Sequence, residues 1–142
     1  MPSDPVFIDA SGWIALLNTD DWLHAPAVAL FQEFEKSNRL LVTTEWILAE
    51  AGNGLARPKT RSPFVSTVKS LFESSVCRIV PVNRSLFMES LDLYGRALDK
   101  SWGLIDCSSF VVMHHEKIAE CMTADRHFSQ AGFQCLLPTR RE

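Results

Sequence analysis

At 142 residues, with 46% hydrophobic and 22% charged side chains, the chain is long enough for one domain with its own core and too short for two. Its net charge of −3 argues at first against a nucleic-acid partner, and no run of about 18 apolar residues is present to span a membrane. The start, Met1-Pro2-Ser3-Asp4, has neither the basic region nor the apolar run of an export signal, so the expectation is a single domain over residues 1–142 acting in the cytoplasm.

In chain order, Val6-Phe7-Ile8 reads as a short buried strand that ends on Asp9 and turns at Gly12. Val28, Phe31 and Phe34 share one face of a helix predicted over Ala25 to Lys36, and Leu40 to Val42 is a second strand. Thr43 and Thr44 are cap candidates for the next helix, where Ile47, Leu48, Ala51 and Leu55 form an apolar stripe and Glu50 falls near its edge. The segment Arg57-Pro58-Lys59-Thr60-Arg61-Ser62-Pro63 is basic and holds two prolines, which predicts a loop, and Phe64, Val68, Leu71 and Phe72 mark a helix after it.

Ile79 to Val82 is a third strand, with Pro81 at its end or on an edge. The spacing of Phe87, Leu91, Tyr94 and Leu98 predicts a helix from Ser85 to Asp99, and another runs from Cys107 to Glu116. Ile118 to Met122 and Phe133 to Leu137 supply strands four and five. Alternating strands and helices without repeats predict a doubly wound α/β domain. The four cysteines, Cys77, Cys107, Cys121 and Cys135, form no C-x-x-C pair and read as reduced, small hydrophobes.

Four acids, Asp9, Glu50, Asp106 and Asp125, lie beside apolar stretches. In a parallel α/β sheet, residues just past the carboxyl ends of strands converge on one crevice, so acids distant in sequence can meet there. Two unit charges about 4 Å apart repel by roughly 4 kcal/mol at an effective dielectric of about 20. Such a cluster must bind cations, take up protons or stay apart. Oxygen ligands with no His or Cys at ligand spacing favour Mg²⁺ or Mn²⁺ over zinc, and the chemistry such ions serve best is hydrolysis of phosphate esters. Two divalent ions would bring the net charge to about +1, so charge leaves RNA open as a partner.

Each acid also has a plainer role. Asp9 could cap the turn at Ser11, Asp106 could cap the helix that follows it, and Asp125 could sit in a turn. Glu45 competes with Glu50, but five residues separate them by about 140° around a helix, so one of the two faces solvent, and Glu45 is the expected one. Adjacent His114 and His115, like His24, read as surface or core residues; His127 could help hold a phosphate. Ser11 has no His beside it in sequence to activate it as a nucleophile, which leaves water orientation or capping. Trp13, Trp22, Trp46 and Trp102 read as core or interface residues, with base stacking open to an exposed one. Arg126 is the cation nearest the acids in sequence and a candidate phosphate contact.

The segments Phe7-Ile8-Asp9-Ala10-Ser11, Leu48-Ala49-Glu50, Leu104-Ile105-Asp106-Cys107-Ser108-Ser109-Phe110 and Thr123-Ala124-Asp125-Arg126-His127-Phe128 resemble the motifs of PIN-domain ribonucleases, especially the VapC-like toxins. The likeness runs in order along nearly the whole chain. It implies a PIN-like α/β fold, a central parallel five-stranded sheet flanked by helices on both faces. It also implies endoribonuclease activity dependent on Mg²⁺ or Mn²⁺, with Asp9, Glu50, Asp106 and Asp125 as metal-binding acids and Ser11 and Thr123 as supporting groups. By the same resemblance the substrate is RNA, the usual partner is an antitoxin protein, and the usual assembly is a homodimer. Rival readings are a haloacid-dehalogenase-type phosphatase, which needs an Asp where Ser11 stands, and a response-regulator receiver, which needs an acidic pair where Asp9-Ala10 stands. A PIN-like module that only binds RNA or protein, or a housekeeping nuclease without antitoxin, is the remaining alternative; all four acids being present argues against a module that only binds.

Overall fold

A computed structural model describes residues 4–139. Strands β1 (Val6–Ile8), β2 (Leu41–Thr44), β3 (Cys77–Val80), β4 (Glu120–Met122) and β5 (Gln134–Cys135) form one parallel sheet in the order β3-β2-β1-β4-β5. Between them run helices α1 (Ala10–Leu17), α2 (His24–Lys36), α3 (Glu45–Gly54), α4 (Pro58–Glu73), α5 (Arg84–Arg96), α6 (Leu104–His115) and α7 (His127–Gln130). From β1 the chain winds outward through β2 to β3, then crosses back over β1 to β4 and β5. Because such crossovers are right-handed, the change of direction puts α1 to α4 on one face and α5 to α7 on the other. Most contacts follow that division, with α1 packing on α2, α3 and α4 and α6 on α5 and α7, while α3 and α6 meet across it.

Strands covered on both faces should read as continuous apolar runs, and Val6, Phe7, Ile8, Cys121 and Met122 are fully buried. The predicted strands are all present, with shifted ends. The third begins at Cys77 and stops at Val80, just before Pro81, and the fifth shrinks to Gln134–Cys135. Thr43 stays in β2, whereas the Thr44 hydroxyl caps α3 by accepting the Ile47 N–H at 3.0 Å. All four cysteines are free thiols.

Two expectations fail. Arg57 to Pro63 is not a loop, because α4 starts at Pro58, where a missing N–H costs nothing, and continues through Pro63. One lost helical bond at Pro63 is offset by local ties and packing. The Thr60 hydroxyl bonds the Leu55 carbonyl at 2.8 Å, the Arg61 Nε bonds the Ala56 carbonyl at 2.9 Å, and the Phe64 ring lies against Gly52. Likewise Gly12 makes no turn but lies inside α1, a helix the sequence reading missed.

Gly12 is there for close approach: a Cβ would lie 2.5 Å from the Met122 carbonyl oxygen. Helix α1 therefore rests directly on the backbone at the end of β4. At the opposite end of the sheet, Arg39 bonds the Asp4 carbonyl at 2.8 Å, the Pro5 carbonyl at 3.3 Å and the Glu120 carboxylate at 2.8 Å. It thus ties the start of β1 to the start of β4, whose register pairs Val6 with Glu120 and Ile8 with Met122.

Gly12→Ala should cost about 1–3 kcal/mol, since backbone rather than a flexible side chain must yield. Gly95→Ala in α5, where a Cβ meets nothing within 4 Å, should gain about 0.5–1 kcal/mol. Urea denaturation of the two variants measures both; a neutral Gly12→Ala would refute the close approach.

Candidate active site

The sheet reverses its winding between β1 and β4, and a crevice opens there at the carboxyl ends of the strands. Asp9 is the residue after β1. It occupies the N-cap position of α1, yet its side chain makes no capping bond. Instead Asp9 Oδ2 accepts the Thr123 hydroxyl at 2.9 Å and lies 3.3 Å from the Ser11 hydroxyl. Thr123 follows β4 and also accepts the Asp125 N–H at 3.0 Å, while Ser11 accepts the Ala124 N–H at 3.1 Å. Two hydroxyls thus join the end of β1 to the turn after β4. The capping reading of Asp9 gives way to a carboxylate aimed across the switch point.

Asp106 is not an N-cap. Helix α6 begins at Leu104, three residues earlier than the sequence suggested, with Gly103 as the cap residue. The Asp106 carboxylate reaches back to accept the Gly103 N–H at 3.1 Å, which satisfies a donor the helix end would leave unpaired. Asp125 does take a turn role as well, since its Oδ1 accepts the His127 N–H at 2.9 Å.

That turn carries the His127 ring back over the acids, so Nδ1 lies 3.0 Å from Asp106 Oδ2 and 3.4 Å from Asp125 Oδ1. Asp106, Asp125 and His127 each present an atom within 4.8 Å of the others. The expectation that no His stands at ligand spacing to the acids is therefore corrected, and His127, read from the sequence as a possible phosphate holder, lies against the acids themselves. Its sequence signal is the Asp125-x-His127 spacing, because an Asp bonding the N–H two residues on folds that residue toward itself.

Glu50, on the exposed side of α3, joins Asp106, Asp125 and His127 in lining an open cavity of about 400 Å³. Glu45 is exposed as expected, though its carboxylate accepts the Val82 N–H at 2.9 Å. The other histidines stay outside the site: His24 meets the Ala15 carbonyl, His115 pairs with Glu89, and His114 lies against Phe133. Trp13 is core, its indole donating to Thr43 Oγ1 at 3.2 Å.

The electrostatics show the cost of this gathering. Burial pushes the Asp9 carboxyl up from 3.8 to about 7, against the lowering by hydrogen bonds and with help from the charges of Asp106 and Glu50. Although the residue is exposed as a whole, partial desolvation of its carboxyl in the cavity, then repulsion by Asp106 and Asp125, raises Glu50. Asp106 is also raised, chiefly by burial, although the Gly103 N–H and His127 favour its charged form. Placement at helix N-termini is worth about 0.3–1 kcal/mol per acid and does not reverse these shifts.

An oxygen-rich set of acids, in which burial and repulsion disfavour the charged forms of Asp9, Glu50 and Asp106, fits a hard divalent cation, which would reverse both penalties. Both His127 nitrogens already have partners, Nδ1 at Asp106 and Nε2 at Ser101 Oγ, 3.3 Å away. His127 therefore suits a holder of Asp106 better than a ligand, and the donor set keeps its carboxylate character.

Fold and crevice together define an α/β protein with an acidic centre at the sheet's switch point. The PIN domain matches over residues 6–134, and the chain belongs to that family. The 23S rRNA-specific endonuclease VapC20 of Mycobacterium tuberculosis, in strains H37Rv and CDC 1551, is 27% identical over 128 residues, spanning 90% of this chain and 95% of the relative. A crystal structure of Mycobacterium tuberculosis VapC20, described as a toxin that cleaves the sarcin-ricin loop, superposes with a TM-score of 0.81. The match is 26% identical and covers 94% of this chain and 99% of that one.

Because the Asp9 carboxyl is raised, the folded metal-free protein keeps a proton that the unfolded chain releases between about pH 4 and 7. Stability in EDTA should fall as pH rises through that window. Asp9→Asn should flatten the fall and melt higher than the parent at pH 8 by about 1 kcal/mol or more, with the difference closing toward pH 4. Mg²⁺ should stabilise the parent more than the variant by mass action. Melting curves in EDTA and in Mg²⁺ at the two pH values provide the check, and identical behaviour of both proteins would mean the acids do not interact.

Proposed function

We propose that this protein is an endoribonuclease that hydrolyses RNA phosphodiester bonds with Mg²⁺ or Mn²⁺ held by Asp9, Glu50, Asp106 and Asp125. What supports this reading is a PIN fold in which Asp106 and Asp125 lie together with His127, Glu50 lines the same cavity, and Asp9 is near enough for the charges of Asp106 and Glu50 to raise its carboxyl. Divalent ions at such a site activate water and neutralise charge on the attacking and leaving oxygens. The chain's own residues prepare it. Thr123 and Ser11 hold Asp9 in the buried floor, the Gly103 N–H and His127 hold Asp106, and the turn at Asp125 fixes the third acid beside them. Glu50, exposed on α3, closes the opposite wall. Arg126, next to Asp125, serves as a phosphate contact.

Attack by water needs no 2′-hydroxyl, so the preference for RNA comes from contacts along the strand. The relative named as a 23S rRNA-specific endonuclease supports an RNA substrate here. The toxin role, with an antitoxin partner, a homodimeric assembly and action in the cytoplasm, extends the same reading. No described helix is long and apolar enough to cross a membrane. An antitoxin would block the crevice most economically by placing a guanidinium among the carboxylates.

The purified protein should cleave single-stranded or looped RNA in Mg²⁺ or Mn²⁺ and be inactive in EDTA. Asp106→Asn should abolish most activity with the fold intact, and Thr123→Val, which removes the hydroxyl that orients Asp9, should cost about 10–100-fold. Expression without a partner should slow growth, and Asp106→Asn should relieve it. Gel assays of a labelled RNA decide the matter; cleavage that survives EDTA or Asp106→Asn would sink the mechanism.

A further inference from the structure

Three consecutive residues stitch the α5–α6 connection to the acidic crevice. Ser101 Oγ lies 3.3 Å from His127 Nε2, the Trp102 indole donates to Gln130 Oε1 at 3.2 Å, and the Gly103 N–H donates to Asp106 Oδ2 at 3.1 Å. The Trp102 ring also packs edge-on against Phe110, with centroids 4.9 Å apart. Its plane is therefore set by a bond and by the core before any ligand arrives.

This connection walls an open cavity of about 600 Å³ that shares Gly103 and Leu104 with the acidic cavity, so the two form one groove. Tyr94, Lys100 and Trp102 line the new stretch, and no carboxylate does. Tyr94 is 50% exposed at the end of α5. Lys100 pairs with Asp99 at 3.3 Å, but both are solvent-exposed and such a pair is worth little, so the ammonium can turn to a phosphate. Beyond Trp102 the next cavity carries mixed charge, Glu89 and Asp92 with Arg96, His114 and His115, and offers no comparable run of aromatic rings and an ammonium free of carboxylates in its lining.

We propose that the groove of Tyr94, Lys100 and Trp102 holds the unpaired RNA strand flanking the scissile phosphate, with bases stacked on the two rings and a phosphate against Lys100. The proposal rests on the endoribonuclease reading of the crevice and specifies the substrate as a strand whose bases are free to stack. Paired bases offer no open faces to aromatic rings, whereas splayed single strands do.

Since Trp102 also supports Phe110, the test uses the exposed positions, Tyr94→Ala and Lys100→Gln, each in the full chain carrying Asp106→Asn with Mg²⁺ present. Binding of a fluorescent single-stranded RNA of about 10 nucleotides is followed by anisotropy across a salt series. Tyr94→Ala should weaken binding about fivefold or more and leave the salt slope unchanged. Lys100→Gln should also weaken binding and lower the slope of log K against log salt by about 0.7, the value for one phosphate of a single strand. A duplex of equal length should bind more weakly than the strand. Either variant within twofold of the parent, or a duplex that binds as well, overturns the proposal. So does a loss of affinity that tracks a change in molecular mass on gel filtration, because Tyr94 shares the exposed face of α5 with Phe87 and Leu91 and the occupant would then be a second copy. The readout is affinity, so it stands apart from the nuclease reading, which fails or holds on cleavage by the parent chain.

Discussion

Everything at the carboxyl end of the sheet answers to one constraint: a carboxylate, Asp9, is placed at the end of a fully buried strand and is itself only 5% exposed. A lone acid in that position is expensive, and the chain surrounds it with further acids instead of a basic partner. What reduces the penalty is a set of small donors. Thr123 gives its hydroxyl proton to Asp9, and Ser11 stands behind both. Asp9 is thus oriented by hydroxyl donors while other acids act on it and its hydrogen-bond partners among the described residues include no basic side chain, a combination that suits a cation-binding centre and poorly suits a merely structural one.

Asp106 and Asp125 are each oriented by a local backbone bond, at the start of α6 and in the turn into α7, and His127 adds a bond to Asp106 from across the fold. Topology then does the gathering. The strand order brings β1 beside β4, and the crossover helices deliver Glu50 and Asp106 to the same rim.

Strand positions, the cap at Thr44 and the placing of Asp9 and Asp125 past β1 and β4 were legible in the sequence because each depends on short-range chemistry: apolar runs, a hydroxyl before a helix, an acid after a strand. Three features were not. Helix α1 hid because Gly12 suggests a turn when only its neighbours in sequence are considered, whereas its reason is the Met122 carbonyl 110 residues away. The first turns of α4 hid because prolines at positions 58 and 63 mark a break, which packing of Phe64 on Gly52 and the Thr60 bond outweigh. His127 escaped because its contact with Asp106 spans the fold, although the turn that aims it is local.

The Arg39 clamp acquires another meaning in this light. Strands of three residues carry few ladder bonds with which to choose their stagger, and a slip of one residue would move Asp9 by about 3.3 Å and turn it to the opposite face of the sheet. One guanidinium, joined to the carbonyls of Asp4 and Pro5 and to the carboxylate of Glu120, fixes the vertical offset between β1 and β4 from the end remote from the chemistry. The alignment of Asp9 with Thr123 is therefore calibrated at a distance, in the way a hinge pin at one edge sets how the opposite edge of a door meets its frame.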